Sequence, residues 1–252
     1  MNNKKIICKN IVFDWGNTLV FDPFDDIKQI VAEKGLEYAK GKYGIEFDVE
    51  KFVAEWTVSN ENLSYQFASH FMQEEPFIQW ALKSVGVKDE IRIFLSLKIL
   101  EIYREEFRNK LINDPRKEIL RHVLVEIKNK GKQTAIVSND RAFSARASFI
   151  WMGIDNLIDH YLPAEIIGFE KPDPLVISVA AECFGCKTTD IAYVGDDPIR
   201  DIQCGHKAGA KAILCVPPEK YRTSKSWRDY ENHTDQPDAT IQNLEELLNV
   251  IE

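Results

Sequence analysis

The sequence predicts an α/β protein: a three-layer α/β/α, Rossmann-like core around a parallel sheet, carrying a separate helical insert. Three observations predict it. Short apolar runs alternate with helix-length amphipathic segments, at intervals that suit right-handed parallel crossovers. Several of those runs stop in polar clusters, as buried strands do at the carboxyl edge of an open sheet. One unbroken stretch of helical periodicity parts the first run from the others, so the division is 1–21 with 114–252 for the core and 22–113 for the insert.

In chain order, Ile11-Val12-Phe13 is an apolar run ending in Asp14, Trp15, Gly16 and the turn-former Asn17. It reads as a buried strand that delivers a carboxylate to the rim of the sheet. Asp22-Pro23 turns the chain into the insert. Its helices carry Ile27, Ile30 and Val31; then Phe52, Val53 and Trp56 behind a cap at Asp48; then Phe77, Trp80 and Ala81 between Pro76 and Gly86; then Ile91, Phe94, Leu95 and Ile102 from about Asp89. Apolar stripes at this spacing are a helix bundle packing on itself.

Asp114-Pro115 is a cap and first-turn pair for a helix with Ile119, Leu120, Val123, Leu124 and Ile127, ended by Gly131. A strand from Thr134 to Val137 follows, then helices from about Arg141 to Met152 and from Pro174. Strand Ile191 to Val194, helix Pro198 to Ala208 and strand Ala212 to Val216 continue the alternation, and Ala239-Thr240-Ile241 with a helix around Leu244, Leu247 and Leu248 completes it. The connection from Pro217 to Pro237 is long for its kind. It reads as a solvated loop, and its Lys220, Arg222, Lys225 and Arg228 make it a candidate lip for anionic substrates.

A chain of 252 residues, 44% of them hydrophobic, has enough apolar material for one large core or a core plus a smaller one. A net charge of -8 without any Lys/Arg block argues against nucleic acid as a partner. Apolar runs are too short for a signal segment or a membrane span, so the expectation is a cytoplasmic protein with no membrane partner. Five cysteines, an odd number, do not suggest a disulfide framework. Cys183-Phe184-Gly185-Cys186 has redox or zinc spacing but lacks a second ligand pair, and buried thiols are expected there.

Four segments share the form of an apolar run followed by polar residues. They are Ile11 to Thr18, Ala135-Ile136-Val137-Ser138-Asn139-Asp140, Gly168-Phe169-Glu170-Lys171-Pro172-Asp173-Pro174, and Ile191-Ala192-Tyr193-Val194-Gly195-Asp196-Asp197 with Asp201. In these segments the chain resembles the haloacid dehalogenase superfamily, aspartate-nucleophile hydrolases that are mostly magnesium-dependent phosphatases. The resemblance implies that Asp14 is the nucleophile and that the insert is a cap domain over the catalytic crevice. It implies that Ser138 donates to the transferring phosphoryl group with Asn139 beside it, and that Lys171 offsets the charge of nucleophile and phosphoryl group. Asn17 and Thr18 join the expected substrate contacts. Asp14, Asp196 and the backbone carbonyl of Gly16 are the expected Mg2+ ligands, with Asp197 and Asp201 as additional or outlying ones. Crowded carboxylates repel one another without a cation, so the cluster itself asks for a hard divalent metal.

Phosphoryl transfer to a carboxylate also needs a proton source for the leaving group. The superfamily's pattern is Asp-x-Asp-x-Thr, and Gly16 stands where its second, acid/base aspartate belongs. Asp22 and Asp25 lie just beyond and are candidate substitutes. The expected function is a phosphatase of a small phosphorylated or otherwise anionic substrate. Two alternatives stay open: a phosphonoacetaldehyde hydrolase-like enzyme using Lys34, Lys42 or Lys51 as a Schiff base, and a phosphate-binding protein that has lost its proton donor. The superfamily's dehalogenases work without magnesium, and Asp196 with Asp201 counts against that branch.

Overall fold

The computed structural model describes residues 5–66, 74–139, 142–222, 225–228, 230 and 235–252. The chain divides into two compact units, Met1–Asp22 with Asp114–Glu252, and Pro23–Asn113. Strand β1 (Asn10–Phe13) is followed by the four helices of the second unit, α1 (Phe24–Tyr43), α2 (Val49–Gln66), α3 (Glu74–Ser84) and α4 (Asp89–Ile112). The first unit then resumes with α5 (Arg116–Asn129), β2 (Thr134–Ser138), α6 (Ala142–Met152), β3 (His160–Pro163), α7 (Ala164–Ile167), α8 (Leu175–Phe184) and β4 (Ile191–Gly195). It ends with α9 (Ile202–Lys207), β5 (Lys211–Cys215), α10 (Lys225–Arg228), β6 (Ala239–Ile241) and α11 (Leu247–Val250).

The strands form one parallel sheet in the order β3-β2-β1-β4-β5-β6. Every residue of β1, β2 and β4 is buried, which is why these strands read as continuous apolar runs rather than as alternating ones. On one face Val12, Ala135, Val137 and Tyr193 pack with Val176, Ile177 and Ala180 of α8. Their strand neighbours Ile11, Phe13 and Ile136 point the opposite way and are equally buried. Helix α5 adjoins β2 and buries Leu120, Val123, Leu124 and Ile127. Because β1 lies between β2 and β4, the sheet grows outward in both directions from it, and its carboxyl end is the topological switch point where α/β sheets open a crevice.

In the second unit the helices enclose an aromatic core in which Trp56 meets Phe24 at 5.1 Å and Tyr103 at 5.6 Å between ring centroids. Asp48 caps α2 by accepting the Lys51 N–H at 3.0 Å. Three residues of the predicted stripes face solvent instead: Ile30 and Trp80 are exposed, and Phe94 is 64% exposed.

Other departures have local causes. Strand β3 is not among the strands the sequence predicts: four residues long, with a histidine at its start and a proline at its end, it sits at the sheet's edge, where proline is tolerated. Lys171 therefore follows the short helix α7 and a turn rather than a strand end. Helix α9 begins at Ile202, later than expected, because the preceding residues form a turn held by Asp197. Cys8, Cys204 and Cys215 are buried, but Cys183 is exposed and Cys186 half-buried. Asp140 and Arg141, named in the motif and helix readings, lie outside the described residues. Among the described residues no helix is long and apolar enough to cross a membrane.

Candidate active site

Asp14, Ser138 and Asp196 leave the carboxyl ends of three adjacent strands. In the parallel register Phe13 faces both Ile136 and Val194, so the residues that follow it emerge beside Ser138 and Gly195. The Asp14 N–H still donates to the Val194 carbonyl at 2.8 Å, which fixes the carboxylate's origin. After Asp14 the chain doubles back at once. Leu19 and Val20 N–H donate to the Trp15 carbonyl at 3.0 and 3.2 Å, and Asn17 takes a left-handed backbone, φ 56°, which asparagine tolerates better than most residues. The turn brings the Thr18 hydroxyl to Asp14 Oδ2 at 3.2 Å and to Asp196 Oδ1 at 3.5 Å.

Lys171 joins the same cluster from far along the chain. Its ammonium donates to Asp14 Oδ1 and, at 2.8 Å, to Asp201 Oδ1. Burial alone lowers the pKa of an amine, but the charges of Asp14 and Asp201 outweigh it and hold Lys171 above the ordinary lysine range. Asn139 positions the lysine: its Oδ1 accepts the Lys171 N–H at 2.9 Å and its Nδ2 donates to the Lys171 carbonyl at 3.2 Å. One N–H and one oxygen lone pair of that amide are thus spent on the Lys171 backbone.

Asp201 is 1% exposed and anchors the floor of the cluster. Besides Lys171, its Oδ1 accepts the Tyr193 hydroxyl at 2.7 Å, and its Oδ2 accepts the Asp197 N–H at 2.9 Å. Burial, reinforced by the Asp201 and Asp14 charges, pushes the Tyr193 phenol well above its usual range, so it acts as a neutral donor. This approach requires a glycine at the end of β4, since a Cβ on Gly195 would lie 2.4 Å from the Cβ, Cγ and Oδ2 of Asp201. We expect Gly195→Ala to force Asp201 aside and cost about 1–3 kcal/mol of stability, the usual range for overpacking. Urea denaturation checks this, and a variant as stable as wild type would show that Asp201 can shift freely.

Carboxylate oxygens of Asp14, Asp196 and Asp201 all lie within 4.8 Å of one another. Burial pushes the Asp196 carboxyl well above the usual carboxylate range, and the neighbouring charges of Asp14 and Asp201 push it the same way. Such a donor set, all hard oxygen and short of positive charge, fits a divalent cation such as Mg2+. Both Asp201 oxygens and both Asp14 oxygens already accept from protein donors, whereas the hydrogen bond that Asp196 accepts among the described residues is the long one from Thr18. The Asp197 side chain turns away, accepting the Ile199 and Arg200 N–H groups at 2.9 and 2.8 Å and pairing with the Arg200 Nε at 3.2 Å. Gly16 lies in the turn, bridged to Val20, and Asn17 Oδ1 is buried without a hydrogen-bond partner among the described residues. Ser138 is buried at the end of β2.

Tyr193, Arg200 and Gly195 belong to the site although the motifs assign them no role. Gly195 carried a usable signal, since a glycine within a strand marks a close approach. Tyr193 carried none, because a strand tyrosine looks the same whether or not its hydroxyl is used. Of the candidate substitute acids, Asp22 is exposed and Asp25 pairs with Lys28 at 2.7 Å.

A family model described as haloacid dehalogenase-like hydrolase matches residues 11–215. A glyceraldehyde 3-phosphate phosphatase of Methanopyrus kandleri is 30% identical over 130 residues, 51% of this chain, so the chain spans about half of that relative's length, 53%. A ribulose-1,5-bisphosphate 5-phosphatase of Halopiger xanaduensis is 23% identical over 96% of this chain and 98% of its own. Among solved structures, a 2-haloacid dehalogenase from Pseudomonas syringae pv. Tomato DC3000 superposes with a TM-score of 0.59 at 21% identity, covering 97% of this chain and 98% of the other, a likeness of fold.

Proposed function

The chain belongs to the haloacid dehalogenase-like hydrolases, and on that premise we propose that it is a magnesium-dependent phosphatase acting on a small phosphorylated metabolite. The observation that carries the reading is the meeting of Asp14, Lys171, Asp196 and Asp201 at one sheet edge. Relatives with phosphatase names support it.

In this reading a carboxylate oxygen of Asp14 attacks phosphorus. One O–P bond forms as the ester O–P bond breaks, and the electron pair leaves with the ester oxygen, which takes up a proton. Water then attacks the phosphorus of the aspartyl-phosphate, releasing inorganic phosphate and restoring the carboxylate. Lys171 and the Thr18 hydroxyl hold the Asp14 oxygens in a fixed orientation before substrate arrives, so little reorganisation is needed during attack. Asp14 and Asp196, with the Gly16 carbonyl, are the groups that would hold Mg2+. When bound, the ion neutralises phosphoryl oxygen charge. Asp201 keeps Lys171 aimed at the nucleophile, and Asn139 fixes the lysine's backbone. Ser138, at the end of the neighbouring strand, is the proposed donor to the phosphoryl oxygens.

Gly16 offers no side chain to protonate the leaving group, so the reaction favours esters whose alcohol leaves readily. General acid/base help is worth about 10²- to 10⁴-fold. Gly16→Asp is therefore expected to raise turnover of alkyl phosphates by at least about tenfold while changing that of aryl phosphates much less. The test is hydrolysis of an aryl and an alkyl phosphate by both proteins, with Mg2+ and with a chelator. Aryl phosphate turnover that ignores the chelator would remove the metal from the reading. Tight binding of a phosphate analogue without any turnover would favour the phosphate-binding protein instead.

The phosphonate alternative finds less support. Lys42 and Lys51 are exposed, and Lys34 pairs with Glu106, whose hydrogen bond raises its pKa. A Schiff-base lysine needs the opposite shift.

A further inference from the structure

Arg200 stands beside this cluster and has no part in the reaction above. Its side chain is 47% exposed, and its Nε donates to Asp197 Oδ2 at 3.2 Å. Asp197 is a built anchor rather than a surface acid: it is 3% exposed, and its Oδ1 is fixed by the Ile199 and Arg200 N–H groups. Ser226 of α10 also hydrogen-bonds it. Burial raises the Asp197 carboxyl, but the Arg200 charge and these hydrogen bonds more than reverse that, so it stays ionised.

An arginine pinned by one edge to a buried carboxylate has given up much of its rotamer freedom before any ligand arrives. The two terminal nitrogens of Arg200 make no hydrogen bond among the described residues. The Asp197 that holds this guanidinium follows Asp196 directly and donates its N–H to Asp201 Oδ2 at 2.9 Å, which puts Arg200 one ion pair away from the cluster. Lys171, not Arg200, makes the direct ionic contacts with Asp14 and Asp201. In a chain of net charge -8, an anionic substrate has to be met by local positive charge. The other cations near this edge with described contacts are engaged: Arg222 donates to the Pro217 carbonyl at 2.7 Å and lies over Trp227, and Lys220 lies over Tyr221. Arg116 lies over Phe21 and pairs with Asp114.

We propose that Arg200 is a specificity-determining residue that grips a second anionic group, a carboxylate or a further phosphate, on the phosphorylated substrate. Asp197 and Ser226 are its positioning residues. A planar fork with both terminal nitrogens open suits a two-point grip on such a group. The inference rests on the phosphatase reading and extends it from reaction to substrate class.

The test is steady-state kinetics with Mg2+ on two aryl phosphate monoesters of the same carbon skeleton, one bearing a carboxylate and one an alcohol. Wild type is expected to prefer the carboxylate ester. In Arg200→Met the ratio of the two kcat/KM values should fall about 10- to 100-fold, mainly through KM of the carboxylate ester, as befits loss of hydrogen bonds to a charged group. Arg200→Lys keeps the charge but loses the fork and should recover part of the ratio. Ser226→Ala should lower it less, in the same direction, which a merely structural loss would not do. Wild type without a preference, or a ratio unmoved in Arg200→Met and Arg200→Lys, overturns the inference while leaving the phosphatase reading intact. Failure of wild type to hydrolyse either ester overturns the phosphatase reading, and the inference with it.

Discussion

Asp14→Asn is expected to fold and to lose at least about 10³-fold in kcat, the scale of losses when a covalent nucleophile is removed. An amide cannot form the acyl-phosphate, yet it has nearly the shape of the carboxylate: its oxygen can still accept from Lys171, and its NH2 can donate to the Thr18 hydroxyl oxygen. Lys171 keeps Asp201 as an ionic partner at 2.8 Å, so its charge is not stranded. Turnover and far-UV circular dichroism measured on one preparation check both halves of this statement. Rates near wild type in a folded variant would take the nucleophile's role away from Asp14.

Lys171→Met is expected to injure the fold as well as the chemistry. The side chains of Lys171, Asp14 and Asp201 are 7%, 8% and 1% exposed, so removing the cation leaves two buried carboxylates facing each other beside Asp196. Breaking a buried ion pair from one side costs about 3–5 kcal/mol. Urea denaturation should show that loss, and added Mg2+ should return part of it by supplying the missing charge. Stability within about 1 kcal/mol of wild type would mean that the carboxylates take up protons at little cost. The sign of the pH effect follows from the raised lysine pKa. The stabilisation is fully present below the ordinary lysine value, about 10.4, and fades only as pH climbs through the higher folded value. Alkaline pH up to about 10 should therefore leave this contribution in place.

Much of the fold could be read from the sequence because its signals are local. The buried strands β1, β2 and β4 are apolar on both faces, and the helices that precede Gly131 and Gly185 end where a glycine stops them. Strand β3 was hidden because His160 and Pro163 are poor strand markers and pairing at the edge needs little apolar sequence. Exposure of Phe94 was equally hidden, since a periodic stripe says which residues share a face but not how wide the covered part is.

At the candidate site, residue types and their order pointed to Asp14, Lys171, Asp196 and Asp201. The division of labour among their neighbours did not show. That Asn139 holds a backbone, that Asp197 holds an arginine, and that Tyr193 braces Asp201 are facts of hydrogen-bond direction, and a sequence does not encode direction locally.

The central place of β1 bears on how the chain folds. Its hydrogen-bonding neighbours are residues 134–136 and 191–194, on opposite sides and far downstream, with the whole Pro23–Asn113 unit intervening. Closing such long loops is entropically slow, and the reward arrives only when both partners have docked. During synthesis one edge of the first-made strand must wait until past the middle of the polypeptide for β2, and the other until the last third for β4. Hydrolytic competence therefore arises late and all at once, and a prematurely terminated chain would carry the nucleophile without the pocket that gives it a use.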